Sequence, residues 1–553
     1  MFSTQRNDAR AEEHGSPGAK SAATKIAHVE NLSSPSNAME SPVSSYPELK
    51  SPQATVSSLG SSGTRILTEA ECSQQFGYAF SRTKKWLILT VAFWVQISMN
   101  FNASVYNNAT SGMQAEFGVK EVYPKLGSAL FLIMYAFGCE LWAPWSEELG
   151  RHCVMQASMG LVNVWQLPVA LAPNMASVIA GRVLGGLSTA GGSVTLGMVA
   201  DMWDAESQQY AVAFVVFSSV AGSIMGPIVG GYLETYFDWR WCIWAQLILG
   251  LAVQLAHWFT PETRSTVIVN KIAKQRRKAN PEDNVWGPSE GKSLRDRFSW
   301  TQIRDVWMRG FIMLFTDPIV ACLSALSGFA DALIFMCIHS FGIVYGHIWG
   351  FNTWQTGLTF VSILVSYFFS WMLFIPSFER NKRLRAAKPD DERTQFESRL
   401  WPLLWQGPLL CLGLIGFAFT LRSDIHWIAS LIFAVLVGMS NYAIYMATID
   451  YMICAYGPYS ASATGGNGWA RDILAGILVF AAKPFFTDIG NDEVKSFMWA
   501  GVILFLLSLP LVGFVFVIYV KGPALRKRST FAQGLESPRL AKAAAPVGYS
   551  VTA

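Results

Sequence analysis

Charge is scarce in this 553-residue chain: 14% of its residues are Asp, Glu, Lys or Arg, against about 25% in a soluble globular domain. The net charge of +4 is small, which argues against nucleic acid as a partner, because such binders carry a strong basic footprint. Paired cysteines are missing. The eight cysteines stand singly, at 72, 139, 153, 242, 322, 337, 411 and 454, with no CxxC, so neither a zinc site nor a disulfide framework is expected. No HExxH, GxSxG or GxxxxGK[ST] sequence occurs on the apolar segments, which argues against an enzyme and against an ATP-driven pump. No metal or other cofactor is expected. No apolar run precedes Trp86, so the amino terminus does not read as a signal peptide.

What is abundant is apolar sequence, 52% of the chain. It comes in runs of about twenty residues, the length that crosses a hydrocarbon core of roughly 30 Å. Twelve spans are expected near 86–106, 126–145, 154–172, 178–200, 211–233, 241–259, 318–342, 355–375, 401–421, 427–449, 463–485 and 497–519. The expected fold class is therefore an all-α membrane protein. Residues 1–85 read as a disordered tail rich in Ser, Ala and Pro, with Ser-Pro at 16–17, 34–35, 41–42 and 51–52 as phosphorylation candidates. Residues 521–553 read as a second polar tail.

Two polar loops break the rhythm. Residues 261–310 form a central loop between two six-helix halves, 86–260 and 311–520. The stretch 260–310 carries eleven Lys/Arg, and 377–400 carries seven. The connections 173–177 and 346–354 carry none. Basic residues stay on the cytoplasmic side, so both long loops and both termini are expected inside. The basic run at 271–278 either sets orientation or binds anionic lipid. Two sequons, Asn102-Ala103-Ser104 and Asn108-Ala109-Thr110, fall between spans one and two, hence outside, with Asn108 the better glycan acceptor; Asn31 should stay bare.

The halves echo one another. Pro144, Glu147 and Arg151 after span two match Pro376, Glu379 and Arg383 after span eight at the same offsets. Each set is followed by an aspartate two spans on, Asp201 and Asp450. Repeated halves of this kind mark the major facilitator architecture. Glu147, Arg151 and Asp201, and Glu379, Arg383 and Asp450, are candidate conformational latches; the alternative is ordinary interfacial ion pairing worth under about 1 kcal/mol. On span five, Gly222, Gly226 and Gly230 recur every fourth residue beside Pro227, a smooth stripe that admits a close neighbour.

Polar residues on apolar spans supply the remaining candidates. Arg182 lies 19 residues, or roughly 28 Å, before Asp201 on span four. A charge at that depth must face a partner or water. Asp331 and His339 lie on span seven as candidate proton-titrating groups. Gln96, Asn100, Asn163, Gln166, Gln246, Asn441 and Tyr445 are candidate cavity residues, each equally readable as a satisfied structural group. Arg182 and Asp331 belong to opposite halves, so rocking the halves would alter their surroundings.

The segment Pro144-Trp145-Ser146-Glu147-Glu148-Leu149-Gly150-Arg151 resembles the loop 2–3 signature of the major facilitator superfamily, in the form found in fungal twelve-spanner drug:proton antiporters, the polyamine, cycloheximide-resistance and toxin-exporter branch. Arg182-Val183-Leu184-Gly185-Gly186 resembles the RxxxG motif, and Gly222 to Gly231 the antiporter motif GxxxGPxxGG. Asp238-Trp239-Arg240-Trp241, Pro261-Glu262-Thr263, His426, Tyr451 and Arg471 follow in the expected order. The resemblance covers about 80–520. It implies two six-helix halves, alternating access, proton coupling through Arg182, and export of a drug, toxin or secondary metabolite across the plasma membrane or the vacuolar membrane by a monomer. Polyamine or organic-cation export, and a non-transporting receptor, are the alternatives. Polyamine-transporting relatives carry Glu where His339 stands and an aromatic where Asp331 stands, which argues against polyamines.

Overall fold

The computed structural model describes residues 65–532 apart from 68, 204–206, 281–283, 289, 291–299 and 490–492. The Ser-Pro sites, Asn31 and the last twenty-one residues lie outside the described residues.

Twelve long helical stretches follow one another where apolar runs occur. Span one is Arg82–Val105, span two Val122–Leu149, span three Arg151–Ala170, span five Gln208–Tyr236 and span six Arg240–Trp258. Span four is broken into Met175–Leu187 and Gly191–Met202. In the second half, span seven is Pro318–Trp349, span ten Trp427–Tyr456, span eleven Ser460–Thr487 and span twelve Glu493–Arg528. Span eight is Thr353–Thr359 with Val361–Ala387, and span nine Trp401–Gln406 with Pro408–Thr420. Among the described residues, ten of these are long and apolar enough on their own to cross a membrane; spans three and eleven are not. Each of those two turns polar side chains toward partners inside the bundle. Asn163 donates to Gln254 Oε1 at 2.8 Å on span six, and Asn467 of span eleven to Ser324 Oγ at 3.3 Å on span seven. A helix buried among helices can carry such groups provided they are bonded.

Local chemistry explains the ends. Asn174 caps span four by accepting from Ser177 N, and Asp317 caps span seven by accepting from Ile319 N and Val320 N. An N-cap oxygen satisfies a backbone donor that the first helical turn leaves open. Gly350 closes span seven at φ +68°, a conformation that favours glycine. Pro144 lies inside span two and has no N–H, so the carbonyl of Glu140 lacks its helical donor. Trp307 Nε1 supplies one at 2.9 Å, tying helix Trp300–Thr316 to span two.

The sequence-based tail and central loop are more structured than expected. Arg65–Ile66 pairs in parallel with Val285–Trp286. Leu67, Cys72 and Phe76 are buried against Val269, Ile272 and Ala273 of helix Ser265–Ala279. The apolar i, i+3, i+4 spacing of 269, 272 and 273 gives that helix one face to cover, and residues 67–76 cover it. Arg277 binds Glu290, and the guanidinium holds that carboxyl below its ordinary range. Residues 65–67 and 69–85, expected within the tail, are therefore part of the folded protein. The signal missed was short: three apolar residues in a polar stretch whose partners lie 200 residues on.

Spans one and five cross with their backbones close together. A Cβ at Gly222 would sit 2.7 Å from the Ile97 carbonyl oxygen, and one at Gly226 would sit 2.7 Å from Val105 N and collide with Ser104. The glycine stripe thus seats span one, as the spacing predicts. Gly226→Val is expected to destabilise the purified protein by about 1–3 kcal/mol through overpacking, read as a lowered unfolding temperature. Gly513→Val is the control, because nothing lies within 4 Å of a Cβ there. Equal unfolding temperatures for the two variants would contradict the stripe's role.

Candidate functional site

The loop-side ends of the spans carry two ion-pair clusters, one in each half. In the first, Arg151 at the start of span three is buried. Its Nε donates to Asp201 Oδ2 at 3.1 Å, and its Nη1 to Ser146 Oγ. Glu147 stands 3.9 Å away. Arg264, just after span six, reaches Asp201 at 3.6 Å and donates to the Glu147 carbonyl at 3.3 Å. Glu262 accepts from the backbone N–H groups of Arg151 and His152 at 2.9 and 3.2 Å, an acid at a helix amino terminus, where it is stabilised. Gly150 at φ +102° makes the turn. Gly197 makes room for the guanidinium, since a Cβ there would lie 2.5 Å from Arg151 Cζ. The three expected residues are brought together, and Glu262 and Arg264 complete the cluster.

In the second half the expected arginine is wrong. Arg383 is exposed on the extension of span eight, and Asp450 is held instead by Arg399 at 2.6 Å, with Gln209 Nε2 donating at 3.0 Å. Glu379 accepts from Tyr210 OH and has no part in that pair. Matching offsets along the chain picked Arg383. Span eight runs on to Ala387 and is followed by the turn Glu397–Leu400, so the arginine at the foot of the half's third helix is Arg399. The fold repeats position in space, and a longer connection shifts the number. Glu397, buried beneath it, binds Arg526 of span twelve and accepts from Tyr451 OH at 3.2 Å.

Between the halves lies a cavity of about 390 Å³, within the range of small-molecule sites. It runs from Glu147, Arg151, Asp201 and Arg264 to Tyr445, Arg471 and Asp472 midway along spans ten and eleven. Asp331 of span seven stands 3.8 Å from Arg471 Nε, and Asp472 stands 3.1 Å from it. Tyr445 lies under the guanidinium, 4.4 Å from its ring centre. First-half residues Asn100, Tyr135, Ser219 and Ser223 face this charged group across a narrow space.

At the opposite face the halves touch directly. Lys483 of span eleven binds Glu121, which precedes span two, at 2.5 Å, and Lys125 reinforces it at 2.8 Å. Gly231 of span five and Gly357 of span eight meet backbone to backbone; a Cβ at Gly357 would lie 2.7 Å from the Pro227 carbonyl oxygen.

The profile of the Major Facilitator Superfamily matches residues 92–479. The chain belongs to the major facilitator superfamily. It is 27% identical to the MFS-type transporter paaT of Penicillium rubens, over 84% of this chain and 83% of that protein. It is 28% identical to the efflux pump atB of Aspergillus terreus, over 70% and 81%. Among solved structures, the proton:xylose symporter XylE bound to 6-bromo-6-deoxy-D-glucose superposes with a TM-score of 0.54 at 15% identity, over 79% of this chain and 97% of that one; this likeness concerns the fold. The protein is thus a multi-pass membrane transporter with the twelve-span facilitator fold, and not an enzyme.

Within this facilitator fold, several sequence-based candidates take other places. Arg182 is buried, and among the described residues it forms no ion pair. Its Nη1 donates to Asn102 Oδ1 at 2.8 Å and to the Asn102 carbonyl at 3.2 Å. Its guanidinium lies 3.8 and 4.3 Å from the ring centres of Phe131 and Tyr106. The cation beside Asp331 is Arg471, from the same half, and not Arg182. His339 is not paired with Asp331; its Nε2 is buried without a partner. Gln166 donates to Asn102 at 2.9 Å, Gln246 to Ser98 at 3.3 Å, and Asn441 to the Ala330 carbonyl at 2.8 Å. With the Asn163–Gln254 bond, these are ties within one half; Gln96 is buried on span one, its side-chain oxygen unbonded among the described residues. Of the seven cavity candidates, Asn100 and Tyr445 line a space between the halves.

The glycan expectation fails at Asn102, which is 1% exposed and bonded to Arg182. Asn108, too, is partly buried, and its amide nitrogen donates to Glu234 at 3.4 Å. Polarity in an apolar run does not distinguish a residue facing water from one facing a neighbouring helix.

Proposed function

We propose that this facilitator is a proton-coupled exporter of a small amphipathic organic compound, loaded from the cytoplasm and released across the plasma membrane. The observation that supports this reading is the 390 Å³ cavity. It reaches the charged group of Asp331, Arg471 and Asp472 from the loop face, while Glu121–Lys483 and Gly231–Gly357 close the other face. The loop face carries the basic stretches 264–278 and 380–399, so the positive-inside rule makes it cytoplasmic. This geometry is then the inward-facing member of an alternating pair. The relative atB is named an efflux pump, which accords with this direction.

In this reading, the Arg151–Asp201–Arg264 and Arg399–Asp450 clusters hold the inner ends of the spans in place and release them as the halves rock. Asp331 carries the proton. The first-half wall of Asn100, Tyr135, Ser219 and Ser223 decides which side's water reaches it. Arg182, locked between Asn102 and two rings, braces spans one, two and four around that wall.

The test uses proteoliposomes and a panel of toxins first found in a growth screen of a strain lacking the protein. A compound that becomes toxic in that strain is expected to move uphill against an imposed proton gradient and to stop when a protonophore collapses it. Uphill movement that survives the protonophore, or a strain with unchanged tolerance to every compound, would overturn the reading.

A further inference from the structure

Glu140 of span two lies on the wall of the main cavity, about two helical turns above Glu147. Every other charged side chain on that wall has an opposite charge within 4 Å. Arg151, Glu147, Asp201 and Arg264 form one group, and Arg471 and Asp472 another. Among the described residues, no cation stands within ion-pair distance of Glu140. The lining therefore holds four acids (140, 147, 201 and 472) against three bases (151, 264 and 471). The unbalanced charge is that of Glu140.

The space around this carboxylate is built for it. The early turns of span eleven carry Gly465, Gly466 and Gly468, and a Cβ at Gly465 would lie 2.1 Å from Glu140 Oε1. Gly310 lies beside the other oxygen, a Cβ there falling 3.8 Å from Oε2. The missing helical hydrogen bond above Pro144 is made by Trp307, so the turn that presents Glu140 is held rigidly. The same cavity is lined by Leu196, Ile449 and Ile453, side chains suited to an apolar body. Asp472 and Arg471, also on the cavity wall, are already paired with each other.

An ionised carboxylate without a partner in an apolar span costs at least about 2.5 kcal/mol. A site that carries this cost gains most from a ligand that removes it. We propose that Glu140 is the counter-ion for a positively charged nitrogen on the transported compound, whose apolar body lies against Leu196, Ile449 and Ile453. The proposal rests on the reading of this cavity as the substrate pathway and names its substrate class: amphipathic organic cations, such as protonated amines, over anionic or neutral compounds.

The test is binding to the purified full-length protein in lipid nanodiscs, with ethidium as the cationic probe and Nile red as the neutral one. The wild type is expected to bind ethidium, and tertiary amines to displace it while carboxylates do not. Glu140→Gln is expected to weaken ethidium by about tenfold or more and to leave Nile red unchanged; Glu140→Asp should lose less. Gly465→Ala keeps the carboxylate but fills its space, and should weaken ethidium selectively as well. The proposal is overturned if Glu140→Gln binds ethidium as tightly as wild type, if both probes weaken together, or if the wild type binds no member of the amine panel. Because binding needs no gradient, cation selectivity that depends on Glu140 would stand even where gradient-driven export failed.

Discussion

Arg399→Ala is expected to cost the protein about 3–5 kcal/mol and most of its transport, while Arg383→Ala leaves both close to wild type. Arg399 and Asp450 are each under 10% exposed and 2.6 Å apart. Removing one partner of such a pair strands a buried charge, and that stranded charge accounts for most of the cost. Gln209 of span five also donates to Asp450, so losing the pair loosens the contact between halves as well as the second half itself. Arg383 is exposed on the span-eight extension, where surface charges contribute about 0–1 kcal/mol. Thermal unfolding in detergent and initial transport rates check both variants. An Arg383→Ala protein that transports as poorly as Arg399→Ala would restore the latch read from chain offsets. Asp450→Asn in the Arg399→Ala background should recover stability, because it removes the stranded charge.

Asp331→Asn is expected to abolish uphill, gradient-driven export while sparing downhill exchange of the compound. Asp331 stands 3.8 Å from Arg471, which also binds Asp472. One guanidinium thus faces two carboxylates, and Asp472 alone can keep it paired when Asp331 becomes neutral. That spare partner makes the substitution tolerable for folding and makes Asp331 the acid free to exchange a proton. Asp472→Asn leaves Arg471 only its longer contact with Asp331 and should depress stability more. If Asp331 instead binds the compound, exchange fails along with uphill export. Undiminished uphill export in Asp331→Asn would move the coupling elsewhere, Glu140 being the nearest unpaired acid on the cavity wall.

These expectations divide along a physical line. Residue type and spacing along one helix were enough for the apolar runs and the glycine stripe on span five. Each depends on local hydrophobicity or on side chains meeting one helix face at intervals of four. The break of span four and the bonded polar faces of spans three and eleven already required neighbours. The choice of Arg399 over Arg383 required the true length of span eight. The partner of Asp331 required knowing that spans seven and eleven lie side by side, a contact 140 residues apart. Residues 67–76 were read as disordered because their apolar side chains find cover only on helix Ser265–Ala279. Gln166, Gln246, Asn441 and Asn163 looked like a pathway because each is polar in an apolar run, yet each is consumed by a bond inside its own half. Glu140 carried the same signal, and only its surroundings separate it from them. The sequence alone determined that this chain crosses the membrane repeatedly as two related halves, since hydrophobic length and short-range pattern are written residue by residue. Which polar groups face the cavity, and which carry a charge without a partner, was decided by the tertiary structure, because a charge is compensated by whatever distant helix packs against it.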